Sequence, residues 1–301
     1  MLHTDLLVIG GGVAGMAAAL SAAENGAERI IIAEREDKLG GILPQCIHNG
    51  FGLGYFKEDL TGPQYAESFT ERICNSSVEV WLQSTVISIA EDKTAIVSSA
   101  EKGMQRISFE KLVLASGCRE TPIGALPVTG TRPAGIFTAG QAQRMVNLQG
   151  LVPGRNIVIL GSGDIGLIMA RRFTLIGCTV LAVIEKQSQC GGMLRNYRNC
   201  ILAHNIPLLT DCTVTQVHGE NRITGVTVHN LISGEDTYMP CDTLITAVGL
   251  IPERELLRPF GDRIPDWIRL CGNCDYVHEI VDTVTAQAEK LGTEIMKKEW
   301  T

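Results

Sequence analysis

The sequence predicts an α/β protein made of two units of one design, with parallel sheets and small antiparallel β insertions. Three observations lead there. A strand, glycine-turn, helix, strand pattern occurs twice at a constant offset of 151 positions. Glycine is abundant, 32 of 301 residues, while aromatic residues make up 5%, a balance that suits tight strand-to-helix turns more than a β-sandwich. The length suits about two domains of ~150 residues each.

The first copy opens on the apolar run Leu6-Leu7-Val8-Ile9 and turns at Gly10, Gly12 and Gly15. Small residues then give a helix over Met16 to Glu24, closed by Asn25-Gly26. The run Ile30-Ile31-Ile32-Ala33 ends at Glu34-Arg35, and Gly40-Gly41 follow. The second copy opens on Ile157-Val158-Ile159-Leu160 and turns through Gly161-Ser162-Gly163-Asp164-Ile165-Gly166. Its helix runs from Leu167 to Leu175, and Val180 to Ile184 leads to Glu185, with Gly191-Gly192 beyond. Six landmarks move by 151 positions: Gly10 to Gly161, Gly12 to Gly163, Gly15 to Gly166, Gly26 to Gly177, Glu34 to Glu185, Gly40 to Gly191. A single such loop is weak evidence, but the same strand–turn–helix–strand–acid context twice is the dinucleotide fingerprint.

The residue types follow from the task. The first glycine permits the tight turn, the second lets backbone approach a pyrophosphate, and the third lets helix pack on strand. Exposed N–H groups at the helix start, here Val13 and Ala14 in the first copy, with the helix dipole attract the anion. Glu34 and Glu185 stand where a carboxylate accepts ribose hydroxyls. A carboxylate repels a 2′-phosphate, so Glu185 favours NADH over NADPH, with Lys186 opposing it. Two further strands end in small residues, Leu112 to Gly117 by way of Ala115, and Leu244 to Gly249. Each would close a nucleotide-binding unit. Alternating residues at Val78–Leu82 and Thr94–Val97 suggest a small antiparallel addition, and Thr213 to Tyr238 suggests another.

The charge balance, 26 basic against 33 acidic residues for a net −7, comes without a basic run, which speaks against nucleic acid as a partner. No run reaches the ~18 apolar residues of a membrane span. The first residues lead straight into a strand, without the basic segment and cleavage site of a signal peptide. Ten scattered cysteines then fit a reduced, cytoplasmic protein.

Paired glycine units in this order resemble the two-dinucleotide-binding-domain flavoproteins, the superfamily of pyridine nucleotide-disulfide oxidoreductases and thioredoxin reductases. The resemblance covers nearly the whole chain. It implies two Rossmann-like dinucleotide-binding domains, the NAD domain inserted in the FAD domain: 1–120 with 250–301 for FAD, and 121–249 for NAD(H). Gly10, Gly12, Val13, Ala14, Gly15, Glu34, Arg35, Gly41, Ala115 and Gly117 would then serve FAD. Gly161, Gly163, Asp164, Ile165, Gly166, Glu185 and Gly249 would serve NAD(H). The chain would return to the FAD domain at Ile268 to Asn273, followed by a helix from about His278 to Leu291, whose start would face the flavin. The family usually has Gly-Asp there. Here it is Gly272-Asn273, with Asn273 offering its side-chain carbonyl to the ribityl chain. The segment from Glu253 to Cys271 is about half the family's usual length.

The stretches Gly40 to Gly52 and Gly130 to Gly140, the latter with Arg132-Pro133-Ala134-Gly135, are similar to a bacterial subgroup linked to anaerobic glycerol-3-phosphate dehydrogenase. That subgroup is related to the FAD subunits of opine, proline and sarcosine dehydrogenases. It implies partners: other dehydrogenase subunits, an electron-transfer protein, or a second copy in a homodimer.

Disulfide reductases carry a cysteine pair after the first Gly-Gly. This chain has Cys46 alone there, so dithiol exchange by that route is not expected. Cys46 could be a catalytic flavin-proximal thiolate assisted by His48, or an inert buried thiol; His48 could equally be a loop residue bonded to backbone. Cys271-Gly272-Asn273-Cys274 reads as a small-residue loop or as a redox or metal pair without a second pair to complete four thiolates. Asp164 could lie near the coenzyme or be a solvated carboxylate favoured by the helix dipole. No metal is expected. The expected activity is hydride transfer between NAD(H) and FAD by a flavin-dependent NAD(P)H oxidoreductase, with electrons passed to a partner or small acceptor. The alternatives are the FAD subunit of an amine, amino-acid or glycerol-3-phosphate dehydrogenase, and a non-catalytic nucleotide-binding subunit.

Overall fold

A computed structural model describes residues 2–295. The chain divides into two units: one runs to Arg119 and resumes at Ile251, and the other, Glu120–Leu250, is inserted in it. Each unit is α/β, as the paired motifs predict.

The first unit is built on strand β1 (Leu2–Ile9). Leu6, Leu7 and Val8 are each fully buried, because both faces of a parallel sheet are covered and its inner strands read as continuous apolar runs. Full burial of each such side chain contributes about 1.5–3 kcal/mol. Strand β2 (Ile30–Ala33) pairs parallel to β1 on one side and Gly103–Leu114 on the other. Glu79–Trp81 lies outside β2, also parallel. The expectation of an antiparallel strand at Val78–Leu82 is thus corrected: alternation assigns faces, but strand direction is set by the connection, here a helical crossover. Thr94–Ser99 and Ser84–Ala90 do form an antiparallel addition against the first half of Gly103–Leu114. The returning strand Ile268–Leu270 pairs parallel with the other half, at Leu112–Leu114.

Residues of β1 alternate between two cores, with Leu6 and Val8 in one and Leu7 and Ile9 in the other. Helix α1 (Val13–Glu24) covers the first. Its Ala17, Ala18 and Ala19 are fully buried, and so short a surface lets the final helix, Val281–Ile295, lie close. A Cβ on Gly292 would stand 2.4 Å from the Ala18 carbonyl oxygen. Helix α2 (Gly62–Cys74) begins on a capping box in which Thr61 and Gln64 satisfy each other's backbone N–H. It buries Tyr65 and Phe69, whose rings stack at 5.8 Å.

The inserted unit holds a five-stranded parallel sheet in the order Ile136–Thr138, Thr243–Thr246, Asn156–Leu160, Thr179–Ile184, Leu208–Leu209. Helices α3 (Ala139–Leu148) and α4 (Asp164–Leu175) supply one core with Ile157, Ile159 and Ile245. The antiparallel strands Cys212–Gly219, Ile223–Asn230 and Asp236–Pro240 form the second insertion. Their Val214, Val217, Val226 and Val228 pack with Val158, Leu160 and Leu244.

Candidate dinucleotide-binding sites

In the first unit, Gly10 has φ +105°, and a Cβ there would meet the Ala115 carbonyl oxygen at 2.4 Å. At Gly15 a Cβ would stand 1.9 Å from the Gly10 carbonyl oxygen. These two positions admit only glycine, and they bring the start of α1 onto the ends of β1 and Gly103–Leu114. Ala115 joins the arrangement by donating its N–H to Ile9 at 2.8 Å. Glu34 is 5% exposed; its carboxylate accepts the Gly11 N–H at 2.6 Å and the Glu36 N–H at 2.8 Å. Arg35 points outward, near Glu36. Gly40 donates to the Gly11 carbonyl at 2.9 Å, and a Cβ on Gly41 would stand 3.0 Å from the Gly12 Cα. Gly40 and Gly41 therefore close the loop from above.

The second unit repeats these contacts with its own residues. Gly161 has φ +105°, and its Cβ would meet the Ala247 carbonyl oxygen at 2.2 Å, while that of Gly166 would meet the Gly161 oxygen at 2.3 Å. Glu185 accepts from the Ser162 N–H at 2.9 Å, the Ser162 Oγ–H at 2.5 Å and the Gln187 N–H at 2.9 Å. Burial raises the Glu185 carboxyl, but the Ser162 hydroxyl and the backbone N–H groups of Gln187, Ser162 and Lys186 outweigh it and hold the carboxyl below its ordinary value. A Cβ on Gly163 would meet nothing within 4 Å, so the middle of this loop faces open space. Asp164 does not stand free in solvent. Its Oδ1 accepts the Met193 N–H at 2.8 Å and the Asn196 Nδ2–H at 2.7 Å, which ties the segment after Gly191-Gly192 to the glycine loop. Ile165 is half-buried behind it, packed against the core.

The helix starts separate into two kinds. Thr61 caps α2 and Thr138 caps α3 with a side-chain oxygen. Helices α1 and α4 start from Gly12 and Gly163, neither of which has a side-chain cap. The first N–H groups of a helix need an outside acceptor, and a glycine N-cap leaves that place to a ligand. Both starts leave backbone N–H donors for an anionic acceptor.

The remaining predicted residues sit where the chain crosses between units or where it returns. Gly117 has φ +74° and Gly249 φ +108°. The Gly117 carbonyl accepts the Glu253 N–H at 3.0 Å, and the Gly249 carbonyl accepts the Thr121 N–H at 3.0 Å. Gly272 has φ +68°, and a Cβ there would stand 2.8 Å from the Ala14 Cβ, so the returning loop reaches the first glycine loop. The Asn273 carbonyl oxygen accepts the His278 N–H at 3.0 Å. That bond orients the side-chain amide of Asn273. The final helix begins three residues later than predicted, at Val281. Asp282 in its first turn accepts N–H groups of Gly52, Gly54 and Tyr55, a contact that sequence spacing could not reveal.

A sequence model of the pyridine nucleotide-disulphide oxidoreductase family matches residues 4–265. The chain belongs to that family. It is a family of flavoprotein oxidoreductases with the two-domain architecture described above. An opine oxidase subunit from Agrobacterium tumefaciens (strain Ach5) is 31% identical over 209 residues, 66% of this chain and 39% of that protein. The HcnB subunit of the hydrogen cyanide synthase of Pseudomonas protegens is 26% identical over 282 residues, 85% of this chain and 58% of that one. The chain thus spans 39% and 58% of these relatives, less than two thirds of either. Among solved structures, the thioredoxin reductase of T. acidophilum superposes with a TM-score of 0.80 at 17% identity, over 98% of both chains. L-proline dehydrogenase from P. horikoshii does so at 0.66 and 17% identity, over 98% of this chain and 55% of that one. At such identities the structures show a shared fold.

The family takes its name from disulphide chemistry, yet none of the ten cysteines of this chain, all of them among the described residues, forms a disulfide. Cys46 is 9% exposed, and burial pushes its thiol up to about 12, the reverse of an activated thiolate. His48 bonds the Asn49 carbonyl at 3.0 Å, and its ring lies tilted against that of Phe51 with centroids 5.0 Å apart. Cys271 and Cys274 are fully buried; the Cys274 thiol bonds the Leu114 carbonyl at 2.8 Å, and burial pushes Cys271 up to about 12. Among the described residues no cluster of His, Cys, Asp and Glu could hold a metal, and no helix is long and apolar enough to cross a membrane. In the Gly130–Gly140 stretch, Arg132 donates to the carbonyls of Val128, Gly130 and Thr131, so its charge braces its own turn.

Proposed function

We propose that this chain is a flavin-dependent oxidoreductase that holds FAD in the first unit and NAD(H) in the second. The observation that carries this reading is the pair of uncapped glycine-started helices, each with a carboxylate fixed beside its loop. FAD and NAD(H), when bound, supply the hydride chemistry, and electrons then pass to a partner or a small acceptor. The chain's residues bind and orient. Backbone N–H groups of Val13 and Ala14 take one pyrophosphate, and those at the start of α4 take the other. Glu34 and Glu185 accept ribose hydroxyls, and Gly41 and Gly272 let neighbouring loops close on the first site. Because Glu185 is an anion next to the ribose position, NADH is the favoured coenzyme.

An anaerobic absorption spectrum before and after NADH tests the reading. Purified protein is expected to show bound oxidised flavin, and stoichiometric NADH is expected to bleach it within seconds. Colourless protein that takes up no added FAD, or flavin that stays oxidised under excess NADH, overturns it.

A second reading places the chain as the FAD subunit of a dehydrogenase complex acting on an amine, an amino acid or glycerol 3-phosphate. The observation that favours it is that the opine oxidase and hydrogen cyanide synthase relatives are named as subunits. Affinity purification from the native source is expected to bring down stoichiometric partners, and full substrate oxidation by the lone chain would count against it.

A further inference from the structure

The two glycine loops differ most usefully at one position. In the first, Gly11 is confined: a Cβ there would stand 2.5 Å from Leu39 Cδ2 and 3.1 Å from Glu34 Cβ. In the second, the matching residue is Ser162, fully buried. Its Oγ–H and N–H both donate to Glu185 Oε2, and its Oγ accepts the Gly191 N–H at 2.8 Å. Glu185 itself stays partly exposed. One oxygen of the carboxylate is therefore gripped from behind by two donors, and the other is turned to Gln187. Glu34, without a serine, has one backbone donor on each oxygen. A glutamate has three rotatable bonds and can ordinarily swing away from an incoming anion; this one is held in place.

We propose that Ser162 is the positioning residue for coenzyme choice in the second unit: it fixes the Glu185 carboxylate where it meets a free ribose 2′-hydroxyl and repels a 2′-phosphate. The inference rests on the reading of this unit as an NAD(H) site. The charged neighbours do not take over the task. Lys186 is exposed, where solvent and salt screen it. Asp164 is engaged by Met193 and Asn196. Asp211 follows on the next strand connection, with its N–H on the Gln187 carbonyl. The depressed Glu185 carboxyl agrees with the geometry.

Equilibrium binding of NADH and of NADPH to the full chain, read by coenzyme fluorescence from about pH 3 to 8 so that the carboxylate range is covered, tests it in wild type, Ser162→Ala and Glu185→Gln. Wild type is expected to prefer NADH. Loss of the hydroxyl is expected to shrink the NADPH-to-NADH Kd ratio about tenfold, since a hydrogen bond to a charged group is lost. It is also expected to move the acid limb of NADH affinity to higher pH, because the carboxyl loses a donor that favoured its ionised form. A merely structural serine would weaken both coenzymes alike and leave that limb in place. Ser162→Gly, which copies position 11, keeps the test available should the alanine variant fold poorly. An unchanged ratio and acid limb in a folded variant overturn the proposal. If Glu185→Gln alone erases the preference, Ser162 is dismissed and the NAD(H) reading stands. A wild type that binds neither coenzyme, or prefers NADPH, overturns both.

Discussion

At the scale of single residues, most of what the loops do follows from the absence of a side chain. Gly15 and Gly166 could be named from spacing alone, and the reason is that any Cβ at either would stand 1.9 Å or 2.3 Å from a carbonyl oxygen. Asp164 and Asn273 were legible as polar residues at the right places, but not their partners. Asp164 Oδ1 accepts from Met193 and Asn196, and Asn273 Oδ1 from His278, contacts set by loops whose course no periodicity encodes. Ser162 carried a signal, since it is where the second loop departs from the first, but its meaning needed the short bond to Glu185. The Thr246 hydroxyl presents the opposite case: it is buried, at 2% exposure, with no hydrogen-bond partner among the described residues. Thr246→Val keeps the shape and removes the unmet polar group. It is expected to leave the melting temperature unchanged or raise stability by up to about 1 kcal/mol, as urea unfolding would show; a loss above that would mean the hydroxyl is satisfied.

Elements divide according to how their ends are finished. The Thr61–Gln64 box and the Thr138 cap complete α2 and α3 internally, whereas α1 begins at a glycine. Gly12 has φ −70° and ψ 177°, an ordinary N-cap conformation that any L-residue adopts. A Cβ there meets only the Gly41 Cα, at 3.8 Å. Gly12→Asp is therefore expected to cap α1 and place a carboxylate where the pyrophosphate would lie. The variant should melt no lower than flavin-stripped wild type yet retain no flavin, by absorbance at the flavin band. Stoichiometric flavin in it would remove the first loop from the proposed site. The antiparallel addition at Thr94–Ser99 and the parallel strand at Glu79–Trp81 show the matching limit in strands. Both alternate, and only the connection and partner decide direction.

Across the whole molecule, the buried thiols set a common alkaline limit. Cys46 and Cys271 are held protonated, each raised from 9.0 to about 12 by burial. The unfolded chain gives up these protons near pH 9 and the folded chain does not. Below pH 9 both states keep them, and stability is indifferent to pH on their account. Above pH 9 and up to about 12 each thiol is expected to lower stability steadily as pH rises, by on the order of 1 kcal/mol per pH unit. Melting curves over that range should fall accordingly, and Cys46→Ala/Cys271→Ala should flatten the fall. A wild-type profile level to pH 11 would mean that these thiols ionise as exposed ones do.

The sequence by itself determined the two α/β units, the six repeated landmarks and the carboxylate beside each loop, because those features are local: a turn, a period, a helix start. Only the tertiary structure decided that Cys46 is a protonated core thiol, that Asn273 serves His278, that Asp282 holds the Gly52–Tyr55 loop, and that Ser162 grips Glu185. Each depends on which distant segments pack together, and burial and hydrogen-bond partners are properties of that packing rather than of the residues alone.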